Sequence, residues 1–186
     1  MKTIFLNGLK IENAKNKENI IEIEGWACHF NRANLNKEIV DEKSFDKFFD
    51  MYKNGVLKPN LNYNHSDQLI GGIDDIVAMN EGLFMQAHLN KDVALVRDTI
   101  WPLIESDDLN SFSTEGYIDN GWKGIVENDD DTYYVKDFIL LGVAIVANPA
   151  DWDAKFTLKN YIDEYRTQKE AEKVEIEKKS KWYLIK

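Results

Sequence analysis

The chain has 186 residues, of which 44% are hydrophobic, enough for the core of one domain with a short appendage. Its formal net charge is −10 at pH 7 and its pI is about 4.8, which argues against nucleic-acid binding because phosphate contacts need clustered Lys and Arg. The single cysteine, Cys28, excludes an intramolecular disulfide and favours a reducing compartment, and the N-terminal MKTIFLNGLK predicts neither a signal peptide nor a membrane span.

The first third of the chain predicts strands followed by one helix. Residues 2–12 are typical of a strand or a hairpin around Asn7-Gly8, a strong turn signal. Residues 20–30 alternate between apolar and polar side chains, which predicts a strand. Ser44 is a suitable N-cap for a helix with aromatic side chains at helical spacing, and Asn54-Gly55 would end it.

The next segment leads to a histidine and then to a hairpin. Residues 56–64 are extended, and they run directly into His65. The double glycine Gly71-Gly72 predicts a bulge or a sharp bend. Residues 73–79 and 83–89 predict the two strands of a hairpin.

The second half of the chain begins with a helix over residues 91–105, in which Pro102 should cause a kink or an early end. A strand over 109–118 precedes a Gly- and Asp-rich excursion at 119–131. The apolar segment 133–147 is rich in β-branched residues, which predicts one or two core strands.

The C-terminal part predicts an amphipathic helix over residues 155–165 and a charged helix or tail over 166–186. The domain is therefore expected to span 1–165. The whole pattern predicts an α+β fold with seven or eight mostly antiparallel strands and about three helices. So many short strands favour a β-barrel or a curled sheet, because a closed sheet has no exposed edges.

The strand 109–118 carries the serines Ser111 and Ser113 close to Gly116, a position where a substrate can approach the backbone. A nucleophilic serine needs a base, and a third group that orients the base. Of the three histidines, His65 is the best candidate base, because it lies between an extended segment and a glycine bend. His29 and His88 lie on regular strands, where a structural role is expected.

Metal chemistry is the alternative to serine chemistry. Three histidines and many carboxylates could bind zinc, but the histidine spacings match no ligand motif. No metal and no cofactor is therefore expected.

Five stretches of the chain, in this order, resemble the prohead maturation proteases of tailed bacteriophages, a serine protease family related in fold to herpesvirus assemblin. The resemblance covers about residues 20–155. The stretches are IIEIEGWACHFNRANLNKEIVDEKSFDKFF (20–49), LNYNHSDQLIG (61–71), EGLF (81–84), LNSFSTEGY (109–117) and GVAIVANP (142–149).

The resemblance implies that His65 is the general base and Ser113 the nucleophile. Ser111 is the nearest competitor for the nucleophile, but Phe112 fills the hydrophobic position that precedes the family's serine. Many family members have Ser-x-Gly where this chain has Ser-Thr-Glu-Gly. Many also have a glutamate at about position 139 or 140, where this chain has none. Asp137 is therefore the first choice for the third member of a triad, and Glu115 is the second.

The oxyanion donors are expected to be backbone amides, with Thr114 and Gly116 as the candidates.

The resemblance implies a herpesvirus-protease-like barrel surrounded by helices. The implied function is a serine endopeptidase that cleaves scaffold and major capsid proteins, and itself, inside the assembling procapsid in the host cytoplasm. It could act as a homodimer, and neither nucleic acid nor a membrane is expected as a partner. The alternative is a catalytically inactive structural or scaffold component with the same fold.

Overall fold

The chain folds into one large sheet and one small sheet. The computed structural model describes residues 19–154 and 156–158. The strands are β1 (Ile20–His29), β2 (Glu38–Ile39), β3 (Asn60–Tyr63), β4 (Leu69–Met79), β5 (Gly82–Asn90), β6 (Ser111–Ile118), β7 (Ile125–Glu127), β8 (Tyr133–Val135), β9 (Phe138–Val146) and β10 (Phe156–Leu158). The helices are α1 (Asp46–Lys53) and α2 (Trp101–Glu105).

The large sheet has seven strands in the order β10-β1-β5-β4-β3-β9-β6. All neighbours are antiparallel except β3 and β9, which run parallel. The predicted hairpin is confirmed as β4 and β5, and the predicted core segment 133–147 supplies two strands, β8 and β9. The mixed α+β class is therefore confirmed.

The large sheet curls into a half-barrel. Although β1 and β6 are not paired, their Cα atoms approach to within 8 Å. The Phe112 amide of β6 donates a hydrogen bond of 2.8 Å to the carbonyl of Ala154, just before β10. The predicted closed barrel is not confirmed, because the order of paired strands has two ends, β10 and β6, within the described residues.

The small sheet has the order β2-β8-β7 and was not predicted. Its strands are only two or three residues long, too short for an alternating pattern to be recognised. The excursion 119–131 contributes a 3₁₀ turn (Gly121–Gly124) and β7 to this region.

The first helix begins differently from its prediction. Asp41, not Ser44, is the N-cap, and it caps a 3₁₀ turn (Glu42–Phe45) that leads into α1. The Asp41 carboxylate accepts from the Ser44 amide at 2.9 Å, while the Ser44 hydroxyl accepts from the Asp41 amide at 3.0 Å. The predicted end at Asn54-Gly55 is confirmed, since Gly55 has φ of +68°.

The second helix accommodates Pro102 through a π-helical turn (Val96–Ile100) that runs directly into α2. Pro102 stands in the first turn of α2, and its missing amide falls where the π-helical turn gives way to the α-helix. The third predicted helix, 155–165, is wrong where it can be compared, because 156–158 pair with the edge of β1 as β10. The segments 2–12 and 166–186 lie outside the described residues.

The glycines Gly71 and Gly72 lie within β4, and the pairing of β4 is irregular on both sides of them. The irregularity falls between Leu69 and Gly71 in the pairing with β3, and between Ile73 and Asp75 in the pairing with β5, as expected for the predicted bulge. A side chain at Gly71 would overlap the carbonyl oxygen of His88, so the glycine permits close approach of the two strands.

The main core cluster joins buried residues of the large sheet to Phe45 and Phe48, and α1 packs against β9. The aromatic stripe predicted for the first helix supplies Phe45 and Phe48, which are almost completely buried, and Phe112 joins them from β6. Among the described residues, none of the helices combines the length and the apolar character needed to cross a membrane.

Candidate active site

The site lies on one face of three neighbouring strands, β3, β9 and β6. Ser113 pairs with Ala144, and Ala144 pairs with Asn62 on the other side. Two residues further along, Glu115 pairs with Gly142. Because side chains two residues apart on a strand share a face, Ser113 and Glu115 point the same way, with only small residues on the strand between them and β3.

The turn from β3 to β4 brings His65 over this face. Asn64 and His65 have φ of +53° and +55°, and the Ser66 amide donates to the Tyr63 carbonyl at 3.1 Å. Two consecutive residues with positive φ make the tight turn that suits the twist of a hairpin. Asn and His tolerate this conformation better than most residues.

The His65 ring lies between Ser113 and Glu115. Its Nε2 is 3.0 Å from Ser113 Oγ, and its Nδ1 is 3.0 Å from Glu115 Oε2. The side chains of His65 and Glu115 are 41% and 28% exposed, so the group opens to solvent and a polypeptide can reach it. Hydroxyl, imidazole and carboxylate in this order can activate the hydroxyl oxygen as a nucleophile.

Asp137, the first choice for the third member, does not take that place. Its carboxylate accepts from the side-chain amide of Asn120 at 2.6 Å. Its carbonyl accepts from Asp119, which is six residues from Ser113 along β6, or about 20 Å at about 3.4 Å per residue. Asp137 has φ of +52° and precedes β9, so its side chain does not continue the alternation of that strand and does not share the face of position 139.

Ser111, the competing nucleophile, is 4% exposed, and its hydroxyl donates a hydrogen bond of 3.0 Å to the Asn110 side chain.

The other two histidines have carboxylate partners of their own. His29 Nδ1 is 2.8 Å from Asp151, and His88 Nδ1 is 2.7 Å from Asp74. Within the part of the chain that the structure describes, no three His, Cys, Asp or Glu side chains cluster as metal ligands would.

Two residues that sequence reasoning missed complete the surroundings of Glu115. Asn62, which is 2% exposed, donates its side-chain amide to Glu115 Oε1. A side chain at Gly142 would overlap that same oxygen. No local signal distinguishes these residues, since their role depends on the pairing of β3 with β9 and β6.

The group opens into a cleft of about 630 Å³. One wall is β6, with Ser113, Thr114 and Gly116. The other wall includes the segment that follows β1, with Arg32 and Leu35, and residues 148–151. A cleft of this size is typical of a ligand or substrate site.

Asp151 holds the second wall together. It accepts from the amide of His29 at 2.7 Å and from Arg32 Nη2 at 2.6 Å, in addition to its contact with the His29 ring. Burial opposes ionisation of the carboxyl group, but the hydrogen bonds from His29 and Arg32 outweigh it and lower the pKa of Asp151 to about 2. Asp151 is therefore ionised at neutral pH and fixes residues 148–151 to the end of β1.

Cys28 also lines the cleft but is a poor nucleophile. Burial is the main cause that raises the pKa of its thiol to about 12. Since the thiolate is the reactive form, Cys28 fills space beside the site.

The backbone beside Ser113 offers a donor at the free edge of β6. The Phe112 amide points away from β9, toward Ala154. Amides two residues apart on a strand point the same way, so the Thr114 amide also faces the open edge, where Thr114 lines the cleft. Gly116 lies beyond an irregularity in the pairing with β9, and a side chain there would overlap the Ile139 carbonyl.

Comparison with known proteins gives a consistent picture. No match is found among curated protein sequences. The structure is similar to that of the bacteriophage T4 capsid assembly protease, with a TM-score of 0.51 and 17% identity over 67% of this chain and 80% of the T4 chain. Varicella-zoster virus protease aligns with a TM-score of 0.43 and 8% identity over 74% of this chain and 63% of that one. The model of the caudovirus prohead serine protease family matches residues 8–168. The chain belongs to that family.

Proposed function

We propose that the protein is a serine endopeptidase of phage head maturation, with Ser113 as nucleophile, His65 as general base and Glu115 as the residue that orients the base. The observation that carries this proposal is the position of the His65 ring, 3.0 Å from Ser113 Oγ on one side and 3.0 Å from Glu115 Oε2 on the other. Family membership supports the same reaction class.

The mechanism follows from the contacts of the two ring nitrogens of His65. Glu115 accepts a hydrogen bond from the Nδ1–H group, so that the proton of the neutral ring stays on Nδ1 and the unprotonated Nε2 can take the proton of Ser113 Oγ. Oγ then attacks the scissile carbonyl, and His65 returns the proton to the leaving amine. Water, activated by the same nitrogen, hydrolyses the acyl-enzyme and restores Ser113.

The developing oxyanion needs donors that are already in position. The backbone amide of Thr114 is the first candidate, because strand alternation directs it to the open edge of β6. Gly116, which lines the same cleft, is the second. The edge of β6 also offers backbone groups to an extended substrate segment, as in other cases of strand addition.

The substrates proposed are scaffold and major capsid polypeptides within the assembling procapsid in the host cytoplasm, and the protease itself. The T4 relative is a capsid assembly protease by name, and the family's name refers to the prohead. We further propose that the domain spans 1–165, that 166–186 form a charged extension, and that the enzyme can act as a homodimer.

Ser113→Ala tests the proposal when it is expressed with the major capsid and scaffold proteins of the same phage. We expect trimming of these polypeptides with the native chain and none with the variant, measured by intact-mass spectrometry. Ser111→Ala is the matched control, because Ser111 is on the same strand face but is buried and bonded to Asn110. It should leave trimming intact.

Equal trimming by the native chain and Ser113→Ala would refute the serine mechanism. The absence of trimming with the native chain, together with normal heads, would favour the inactive structural component instead. Activity that survives Ser113→Ala but is lost to a chelator would point to a metal-dependent hydrolase.

A further inference from the structure

Asn62 makes a contact that neither substrate binding nor core packing explains. It lies on β3, two strands away from β6, and its side chain is nearly completely buried. Strands in a sheet are about 4.8 Å apart, so β3 and β6 are about 10 Å apart across β9. The Asn62 and Glu115 side chains nevertheless meet above β9.

Small residues on the middle strand make this meeting possible. β9 presents Gly142 opposite Glu115 and Ala144 opposite both Ser113 and Asn62. A methyl group at Gly142 would overlap Glu115 Oε1 and the side-chain oxygen of Asn60. The shallow trough over β9 therefore lets the two long side chains approach each other.

The amide of Asn62 is oriented by its neighbours. Its Nδ2 donates to Asn60 Oδ1 at 3.0 Å and to Glu115 Oε1, which uses both of its hydrogens on acceptors. A flipped amide would turn an oxygen toward two other oxygens. In the orientation that results, Asn62 Oδ1 is buried and has no hydrogen-bond partner among the residues that the structure describes.

A buried polar atom without a partner lowers stability, so its presence calls for an explanation. The amide orientation that leaves Asn62 Oδ1 unpaired is also the one that directs Nδ2 to Glu115 Oε1. The other oxygen of the same carboxylate faces His65 Nδ1. The orientation of the base therefore depends on a chain of contacts from Asn60 through Asn62 and Glu115 to His65.

We propose that Asn62 is a positioning residue that fixes the Glu115 carboxylate against His65, with Gly142 providing the space for the contact. The inference rests on the proposed function, because it assigns Asn62 to the same serine site. Asn62 touches neither His65 nor Ser113 in the contacts above, and it acts only through Glu115.

A fluorophosphonate probe tests the proposal without a known substrate. Ser113 Oγ attacks phosphorus, the O–P bond forms, the P–F bond breaks, fluoride leaves, and His65 takes the hydroxyl proton. Asn62→Leu removes the donor and the unpaired oxygen together and keeps the number and branching of the side-chain heavy atoms. Asn62→Ala removes the amide altogether, and Gly142→Ala places a methyl group where Glu115 Oε1 lies. The labelling rate should fall by about 10- to 100-fold in all three, the scale expected for misplaced catalytic groups.

Gln86→Ala is the matched control. Gln86 is another buried side-chain amide that donates to a carboxylate, Glu24, at 3.2 Å, but on β5 and away from the site. It should lower the melting temperature and leave the labelling rate unchanged. Asn62→Leu should slow labelling by the same 10- to 100-fold even if it lowers the melting temperature no more than Gln86→Ala does, a divergence that a merely structural role would not produce.

The proton between His65 Nδ1 and Glu115 gives a second readout. Its downfield ¹H NMR resonance should be present in the native chain and in Gln86→Ala, and should broaden or disappear in the Asn62 variants. A native labelling rate and an unchanged resonance in Asn62→Leu would overturn the proposal. If the native chain itself is not labelled and Ser113→Ala changes nothing, the proposed function fails, and the resonance alone decides whether Asn62 positions Glu115.

Discussion

At the scale of single residues, Glu115 is a departure from the family's sequence pattern that contacts the candidate base in the structure. It lengthens the usual Ser-x-Gly of the family to Ser-Thr-Glu-Gly. In the structure this added residue shares the face of Ser113 and reaches His65 Nδ1. The feature that departs from the family's pattern thus places a carboxylate beside His65, in the role that we propose for it in the absence of an acidic residue at position 139 or 140.

Replacing Glu115 by Gln should slow fluorophosphonate labelling of Ser113 by about 10²- to 10⁴-fold. An amide can present its NH₂ group to His65 Nδ1, which favours the tautomer that cannot accept the serine proton, and the negative charge that stabilises the imidazolium is lost. The measurement is the second-order labelling rate of the folded variant.

Asp137→Asn is the matched control for this change, because Asp137 was the first choice from the sequence and its carboxylate contacts Asn120 instead. Its labelling rate should equal that of the native chain. A rate loss in Asp137→Asn with none in Glu115→Gln would restore the original choice and refute the triad proposed here.

At the scale of elements, local patterns were sufficient to predict most strands of the large sheet. Alternation predicted β1, β5 and β6, and the aromatic spacing predicted α1 with its end at Gly55. Pairing between distant segments could not be predicted, because nothing in β3 or β9 alone specifies that they run parallel. The candidate site depends on that pairing, which explains why local patterns could single out His65 and Ser113 as candidates but not Asn62 and Gly142.

The turn that carries His65 requires a positive φ at Asn64. Its φ of +53° is unfavourable for residues with a branched Cβ, by about 1–2 kcal/mol. Asn64→Val should therefore lower the free energy of unfolding by about that amount, and it should slow labelling of Ser113, because the turn sets the position of His65.

Asn64→Gly is the control for this turn, since glycine adopts positive φ without strain. Its unfolding free energy in urea and its labelling rate should stay close to those of the native chain. If valine and glycine behaved alike, the conformation of the turn would not be what holds His65 in place.

At the scale of the whole molecule, the half-barrel explains how residues from its two ends come together. The curl brings β1 beside β6, and residues 148–154 cross from the end of β9 toward β1. Asp151 fastens this crossing through His29 and Arg32. No local pattern in residues 148–151 indicates these partners, which lie more than 100 residues away along the chain.

The stability of the whole fold should depend on pH through Asp151. Its pKa is about 2 in the folded protein and about 3.9 in an unfolded chain, so the unfolded state binds the proton more readily. The stabilisation is therefore complete above about pH 5 and is lost as pH falls from about 4 to about 2, with a size of about 2 kcal/mol. Asp151→Asn should lower the free energy of unfolding by about this amount at pH 7, and the difference from the native chain should shrink below pH 4.

Urea unfolding at several pH values measures this difference. Asp98→Asn is the control, because the Asp98–Arg97 pair is exposed and should contribute little to stability. A difference between Asp151→Asn and the native chain that stays constant from pH 7 to pH 2 would show that packing, and not the ionised carboxylate, joins the two ends of the half-barrel.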